Sequence, residues 1–132
     1  LWDFVGMGRT KEGLETALTK LKALREEFNK NLYIPGTVGE GMNVELDKAF
    51  RLQDFITMGE LIAYDALNRN ESCGGHFREE YQTEEGEAKR DDENFFYVSC
   101  WDYQGSAEKA PKLIKEPLHY EAIKVQTRNY KS

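Results

Sequence analysis

The sequence predicts a mainly α-helical fold that ends in an extended tail with a two-stranded β-ribbon. Two long segments repeat apolar residues every three or four positions, as amphipathic helices do. Two shorter segments near the C-terminus are typical of extended strands, and a charged stretch without periodicity precedes them. At 132 residues, the chain is long enough to bury one hydrophobic core and not two. The sequence therefore predicts a single domain.

The composition limits the classes of partner that the protein can have. Its net charge is −6 and its pI is about 5.0, so a phosphate-binding face for nucleic acid is not expected. No apolar run is long enough to cross a bilayer. The two cysteines, Cys73 and Cys100, are too few and too far apart for a disulfide framework, and they fit reduced thiols in a cytoplasmic protein.

The first nine residues predict the last turns of a helix. Leu1, Trp2 and Val5 share one face, and Gly6 and Gly8 are typical of a helix end. A natural N-terminus is usually polar and frayed, whereas this one is apolar from its first residue. We therefore expect the sequence to be part of a longer protein.

Two long helices are predicted next. The first is about 20 residues long and begins after Thr10, whose hydroxyl suits an N-cap. Its apolar face consists of Leu14, Ala17, Leu18, Leu21, Leu24, Phe28 and Leu32. After a loop rich in Gly and Pro, the second helix runs from Val44 to about Arg69, with Asn43 as its N-cap. Gly59 in its middle is unfavourable by about 1 kcal/mol relative to Ala, which indicates a close helix crossing.

The apolar stripe of the second helix is wide, which indicates packing against more than one neighbour. Its members are Leu46, Ala49, Phe50, Leu52, Phe55, Ile56, Ile62, Ala63, Ala66 and Leu67. Farther along, residues 95–103 predict a strand, and residues 112–125 predict a second extended segment that Pro117 interrupts. Because an isolated two-stranded ribbon is marginally stable in water, we expect this ribbon to lean on helices.

Residues 70–96 contain the residue types of an active site, namely Cys, His, Arg and paired carboxylates. A zinc site built on Cys73 and His76 lacks a second pair of ligands at the usual spacing. A nucleophilic Cys–His dyad would need an orienting group and an oxyanion site, and spacing alone supplies neither. The glycines match neither a P-loop nor a dinucleotide-binding fingerprint. No catalytic, cofactor-binding or metal-binding residue is therefore predicted in this chain.

The run of charges at residues 89–94 has two interpretations. Asp91 and Asp92 could act as paired carboxylates in acid–base chemistry. However, adjacent residues on a strand or loop point apart, so the two need not share a site. The favoured interpretation is structural: the carboxylates accept backbone amides and hold Arg78 or Arg90 in ion pairs.

Three motifs, in order, resemble the C-terminal domain of the flavoprotein subunit of succinate dehydrogenase and fumarate reductase. The family motif W-D-x-x-G-x-x-R matches Trp2, Asp3, Gly6 and Arg9. The motif A-x-x-R-x-E-S-R-G-A-H-x-R matches Ala66, Arg69, Glu71, Ser72, Gly74, His76 and Arg78. The motif R-D-D-E-N matches Arg90, Asp91, Asp92, Glu93 and Asn94. Cys73 replaces the usual Arg and Gly75 the usual Ala, so contacts of that Arg are missing here.

The resemblance implies a fold and an activity for the whole subunit. The fold would be a three-helix, spectrin-repeat-like bundle in residues 1–72, with its N-terminal helix truncated, and an extended tail in residues 73–132 that packs on the bundle. The subunit would be an oxidoreductase of electron transport and the tricarboxylic acid cycle. It would interconvert succinate and fumarate with FAD, bound in an N-terminal domain that is absent here, and would pass electrons to an iron–sulfur subunit.

The resemblance also implies partners and a location. The partners would be the N-terminal FAD-binding domain of the same chain and the iron–sulfur subunit, which we expect the tail from Phe95 onward to contact. Membrane association, at the inner face of the cytoplasmic membrane, would come only through other subunits. The candidate structural and docking residues are Glu71, His76, Arg78, Arg90, Asp91 and Asp92. The fragment alone would be inactive and would hold no cofactor.

Two alternatives stay open. L-aspartate oxidase is similar in its C-terminal bundle and needs no membrane partner. Two features favour succinate dehydrogenase or fumarate reductase over this alternative. They are the segment between Arg78 and Arg90 and the strands after Phe95. A free-standing helical protein-interaction domain is the second alternative, and the intact reading frame would decide it.

Overall fold

The computed structural model describes residues 1–36 and 41–126. It is mainly α-helical, with three helices, a further short helix and then a two-stranded antiparallel ribbon, which is the predicted fold class. The elements are α1 (Trp2–Val5), α2 (Lys11–Asn31), α3 (Val44–Asn68), α4 (Asp92–Phe95), β1 (Tyr97–Asp102) and β2 (Lys112–Pro117). No helix in the described ranges is long and apolar enough to cross a membrane.

The chain divides into two compact units. The helical unit comprises Leu1–Gly6 and Thr10–Asn68 and contains α1, α2 and α3. The ribbon unit comprises Met7–Arg9 and the chain from Arg69 onward, and it contains α4, β1 and β2. The short segment at residues 7–9 therefore belongs with residues that lie about 70 positions later in the sequence.

Both long helices begin with the caps that the sequence predicts. The Thr10 Oγ1 accepts a hydrogen bond from the Gly13 N–H at 3.0 Å. The Asn43 Oδ1 accepts hydrogen bonds from the N–H groups of Glu45 and Leu46, at 3.1 and 3.2 Å. These side chains satisfy amides that have no partner within the first turn of a helix.

The core of the helical unit is apolar and lies where α1, α2 and α3 meet. Its buried members are Val5, Leu14, Ala17, Leu21, Ala63 and Ala66, with Phe4, Leu18 and Leu67 packed against them. An ion pair between Arg25 and Glu60 also joins α2 to α3. At Gly59, where the sequence predicts a close helix crossing, an added Cβ would lie 2.9 Å from the Leu1 Cδ1, which is the end of a flexible side chain.

Only a narrow part of the wide apolar stripe of α3 is buried. The buried residues are Ala49, Ile56, Gly59, Ala63 and Ala66, most of them small. The larger residues Leu46, Phe50, Leu52, Phe55 and Ile62 of the predicted stripe are exposed. Small residues on the buried face let a neighbouring helix approach closely, and these bulky side chains lie outside that face.

The two strands pair in antiparallel register, with Cys100 opposite Ile114. One face of β1 is half-buried (Tyr97, Ser99 and Trp101), and the other is exposed. Each strand is shorter than predicted. Phe95 belongs to α4 instead of β1, and β2 ends at Pro117, which has no N–H to continue the ladder.

Candidate functional site

Arg9 and the motif residues from Arg69 onward belong to the ribbon unit, and Arg69 is at the centre of their contacts. The helical unit contains the remaining motif residues, Trp2, Asp3, Gly6 and Ala66. Its guanidinium donates hydrogen bonds to the Glu71 Oε1 at 2.8 Å, the Phe95 carbonyl at 3.1 Å and the Tyr97 carbonyl at 2.9 Å. The same group lies over the aromatic rings of Phe95 and Tyr97, 5.8 and 5.1 Å from their centroids. Arg69 thus fixes the chain that follows α3 to the start of the ribbon through charge-assisted bonds and cation–π contacts.

Glu71 is a buried carboxylate whose two oxygens have different partners. Only 2% of the residue is exposed. Its Oε1 accepts from Arg69, and its Oε2 accepts from the Asp91 N–H at 2.9 Å. A charge in such a position is tolerable only when it is paired and hydrogen-bonded. Glu71 therefore joins the second motif to the third.

Ser72 and Arg78 close a short loop within the second motif. The Ser72 Oγ donates to the Arg78 carbonyl at 3.1 Å and accepts from the Arg78 N–H at 2.8 Å. The Ser72 N–H donates to the Lys89 carbonyl at 2.9 Å. The Arg78 guanidinium is buried, donates through Nε to Glu80 at 3.0 Å and lies over the ring of Tyr81.

A tight turn lies inside this loop. Cys73 and His76 exchange two backbone hydrogen bonds, of 2.8 and 3.0 Å, across Gly74 and Gly75. Gly74 has a φ of +59°, a conformation that residues with a Cβ rarely adopt. Cys73 is half-buried, Cys100 is exposed, and both are free thiols. Within residues 1–36 and 41–126, no group of three His, Cys, Asp or Glu side chains is arranged to hold a metal ion.

His76 uses both ring nitrogens to join separate segments. Its Nδ1 lies 2.9 Å from the Arg9 Nη1, and its Nε2 lies 2.9 Å from the Arg69 carbonyl. Because a guanidinium only donates and a carbonyl only accepts, the ring is neutral with its proton on Nε2. Burial lowers the pKa of His76 from 6.5; the hydrogen bond to the Arg69 carbonyl opposes this, and the charges of Arg9, Arg78 and Arg69 reinforce it.

Arg9 brings the first motif into the same network. Its N–H donates to the Phe77 carbonyl at 3.0 Å, and its own carbonyl accepts from the Glu79 N–H at 2.9 Å. These bonds form a parallel β-bridge between Arg9 and Arg78. Arg9 and Arg69 were not among the predicted docking residues, although both occupy motif positions, and that motif membership is the signal that could have identified them.

The third motif starts a short helix. The Asp91 Oδ1 accepts from the Asn94 N–H at 3.2 Å, so Asp91 is the N-cap of α4, and the Asn94 amide donates to both Asp91 oxygens. Asp92 instead forms an ion pair with Arg90. The two carboxylates therefore have separate partners. Among the described residues, the buried Arg90 Nε has no hydrogen-bond partner.

The side chains of this network hold segments of the ribbon unit together by hydrogen bonds. Each ring nitrogen of His76 has a partner within it. Glu71 and Asp91 accept bonds that hold backbone in place. The described residues contain one sheet, an antiparallel pair, whereas a dinucleotide-binding unit needs parallel strands joined by a helix.

Comparisons with known proteins agree with the motif analysis. A family described as fumarate reductase flavoprotein C-term matches residues 1–130. The fumarate reductase flavoprotein subunit of Proteus vulgaris is 34% identical over 82% of this chain and 17% of its own length. The L-aspartate oxidase of Yersinia pestis is 30% identical over 61% of this chain and 14% of its own length.

A solved structure gives the same result at the level of the fold. A mutant of the E. coli quinol fumarate reductase subunit FrdA superimposes with a TM-score of 0.74 and 26% identity, over 96% of this chain and 20% of that one. The chain spans between 14% and 17% of the length of the curated relatives that it matches. The match along nearly the whole sequence confirms the predicted resemblance, and this chain belongs to the fumarate reductase flavoprotein C-terminal family.

Proposed function

We propose that this chain is the C-terminal docking domain of the flavoprotein subunit of a succinate dehydrogenase or fumarate reductase. The observation that carries the proposal is the family match over residues 1–130. The whole subunit is an FAD-dependent oxidoreductase that interconverts succinate and fumarate. It passes electrons to an iron–sulfur subunit. This chain has a structural role in the flavoprotein subunit and takes no part in the reaction.

The role of the motif residues follows from their contacts. Glu71 and Asp91 hold backbone amides, and His76 holds Arg9 beside the loop that contains Arg78. Such a network fixes the surface of the ribbon unit in one conformation, which is what a docking surface for the FAD-binding domain of the same polypeptide requires. Charged groups held in place also set the orientation of a partner. Glu71, His76, Arg78, Arg90, Asp91 and Asp92 are thus structural and docking residues.

The assay that tests this proposal uses the full-length subunit loaded with FAD. Succinate should reduce an artificial electron acceptor dye in its presence, and aspartate should not. The 132-residue chain, purified in the same way, should be colourless and inactive. Tightly bound flavin in the 132-residue chain, or no response of the full-length subunit to succinate, would contradict the proposal.

L-aspartate oxidase is the second candidate, and the Yersinia pestis relative favours it. That match covers 61% of this chain, whereas the Proteus vulgaris fumarate reductase match covers 82%. The same dye assay decides between them, because an aspartate oxidase would respond to aspartate and not to succinate. The third candidate, a free-standing interaction domain, predicts a start codon directly before Leu1.

The ribbon is the proposed contact with the iron–sulfur subunit. Through the iron–sulfur subunit, the flavoprotein subunit would also be linked to membrane-bound partners at the cytoplasmic face. Val98 and Ile114 lie on one face of the ribbon and are each about half exposed, and contiguous exposed apolar surface marks interaction sites. In the full-length subunit, Val98→Glu and Ile114→Glu should reduce capture of the iron–sulfur protein. Tyr33→Glu, which changes an exposed residue outside the tail, is the control. Undiminished capture by both ribbon variants would refute this contact.

A further inference from the structure

A cavity of about 340 Å³ lies within the ribbon unit, beside the motif residues. Its walls come from three stretches of this unit: the second and third motifs, the start of β1, and residues 118–126, which follow β2. Ligand sites in proteins are concave, mostly apolar and about 300–1,000 Å³ in volume. The cavity is at the lower end of this range, which suits a small organic molecule.

One part of the cavity lining is apolar. Phe96 and Tyr120 pack edge to face, with their ring centroids 5.7 Å apart, and the Phe96 carbonyl accepts a hydrogen bond from the Leu118 N–H at 3.2 Å. Ile123 and Val125 also line the cavity, although 67% and 38% of their surfaces are exposed. Because apolar surface gains free energy when it is removed from water, this wall favours a ligand with an aromatic or branched apolar body.

The charged part of the lining carries one excess positive charge. Arg69 pairs with Glu71. Arg90 pairs with Asp92. Lys124 also lines the cavity, and it has no ion pair within the residues that the structure describes. Three cations and two carboxylates thus leave one positive charge that a ligand can neutralise.

We propose that this cavity binds a small monocarboxylate with an aromatic or branched apolar body. The carboxylate lies between Lys124 and the Arg90 guanidinium, whose Nε has no hydrogen-bond partner within the described residues. These two cations line the same side, because the Arg90 Nη1 donates to the carbonyl of Gln126, two positions after Lys124, at 3.4 Å. The apolar body packs on Phe96 and Tyr120. This site goes beyond the proposed function and does not depend on it.

The lining favours a monocarboxylate over a dicarboxylate such as succinate or fumarate. One excess positive charge neutralises one carboxylate. A second carboxylate would lie against the apolar wall without a cation, and a charge that is removed from water without a partner is costly. The ligand of this cavity is therefore chemically distinct from the substrates in the proposed function.

Fluorine NMR of the full-length subunit tests the proposal, with para-fluorophenylacetate as the probe. Fumarate is present in excess, so that a dicarboxylate site elsewhere in the subunit is occupied. The fluorine signal of the probe should broaden saturably, with one site per subunit. The neutral amide, para-fluorophenylacetamide, has the same apolar body without the charge, and it should bind about tenfold more weakly.

Two pairs of variants locate the bound probe. Lys124→Gln should weaken binding about fivefold, because it removes the unpaired charge, and Lys124→Arg should restore it. Ile123→Glu should weaken binding about tenfold, because it places a carboxylate in the apolar wall. Lys109→Gln and Val98→Glu are the matched controls. They change exposed residues that do not line the cavity, so the probe should bind to them as it binds to wild type.

Three results would each overturn the proposal. They are the absence of saturable binding at millimolar probe, equal affinities for the acid and the amide, and full binding to both Lys124→Gln and Ile123→Glu. The comparison of acid and amide uses wild-type protein, so it stands even if a variant does not fold. Binding needs no turnover, so a subunit that fails the succinate assay can still pass this test, and the two proposals can fail separately.

Discussion

The two units of the chain have interiors of opposite character. Among the described residues, every buried apolar side chain belongs to the helical unit, with Leu14 fully enclosed. The buried polar and charged residues Glu71, Ser72 and Arg78 all belong to the ribbon unit. One unit is thus stabilised by the burial of hydrocarbon, and the other by polar groups that satisfy one another.

The difference predicts how each unit responds to a substitution. Removing apolar volume costs the transfer free energy of the lost atoms and a term for the cavity that is left, so the loss is graded. Removing one member of a buried polar network leaves its partners without bonds, and a stranded charge is more costly than a cavity. The largest effects of single substitutions should therefore come from the ribbon unit.

Arg69→Ala should have the largest effect. It leaves the Glu71 carboxylate buried without its cation and removes the bonds to the Phe95 and Tyr97 carbonyls. We expect the free energy of unfolding to fall by about 3–5 kcal/mol, measured by urea unfolding with circular dichroism. The β1 amides should also exchange hydrogen faster. Arg51→Ala is the control, because its pair with Asp47 is exposed and contributes less than about 1 kcal/mol.

Leu14→Ala tests the apolar side of the comparison. Leu14 is fully buried against the core of the helical unit, and its truncation should lower the free energy of unfolding by about 3 kcal/mol. The control is Leu46→Ala, on an exposed side chain, with an effect below about 1 kcal/mol. A Leu14→Ala effect clearly greater than that of Arg69→Ala would show that the polar network is not the more sensitive interior.

The stability should depend on pH through His76. Its pKa is lowered in the folded protein, because the ring is buried and faces Arg9, Arg69 and Arg78. The contribution of the neutral His76 ring to the free energy of unfolding is therefore complete above pH 6.5, where the ring is neutral in both the folded and the unfolded chain. It is lost as the pH falls from 6.5 to the lowered pKa, because only the unfolded chain binds the proton in that window.

Urea unfolding measured across that range checks this expectation. Wild-type protein should lose stability toward acid, and His76→Gln should lose less. His119→Gln, which changes an exposed His, should keep the wild-type slope. If His76→Gln has the same slope as wild type, the neutral ring is not what holds Arg9, and the ribbon unit is less dependent on this contact than its geometry indicates.

The helical unit was more predictable from sequence than the ribbon unit, and the reason is the range of the interactions. Helix period and capping are local, so Thr10 and Asn43 could be assigned as caps from their neighbours alone. The pairing partners of Arg69 and Arg9 lie 26 and 67 positions away. A guanidinium with five donors leaves no periodic signal, and only the motifs marked these positions.

The ends of the ribbon strands were also only partly predictable from the sequence. Alternation predicts a strand from residue 95, but Asp91 caps a short helix that includes Phe95, so β1 begins at Tyr97. The exposure of Phe55 and Leu52 was also not predictable. Periodicity shows which face of a helix is apolar, and it does not show whether a neighbour covers that face.

Thr10→Ala should have the smallest effect of the series, and it measures how much the helical unit depends on one polar side chain. The substitution leaves the Gly13 N–H without its hydroxyl acceptor, which should cost about 1 kcal/mol in urea unfolding. Thr19→Ala is the matched control within α2. Its hydroxyl only donates to the Glu15 carbonyl, and Ala is the better helix former, so stability should be unchanged or slightly higher. Equal losses in the free energy of unfolding for Thr10→Ala and Thr19→Ala would mean that the Thr10 cap contributes no more than any truncated side chain. The start of α2 would then depend on apolar packing alone.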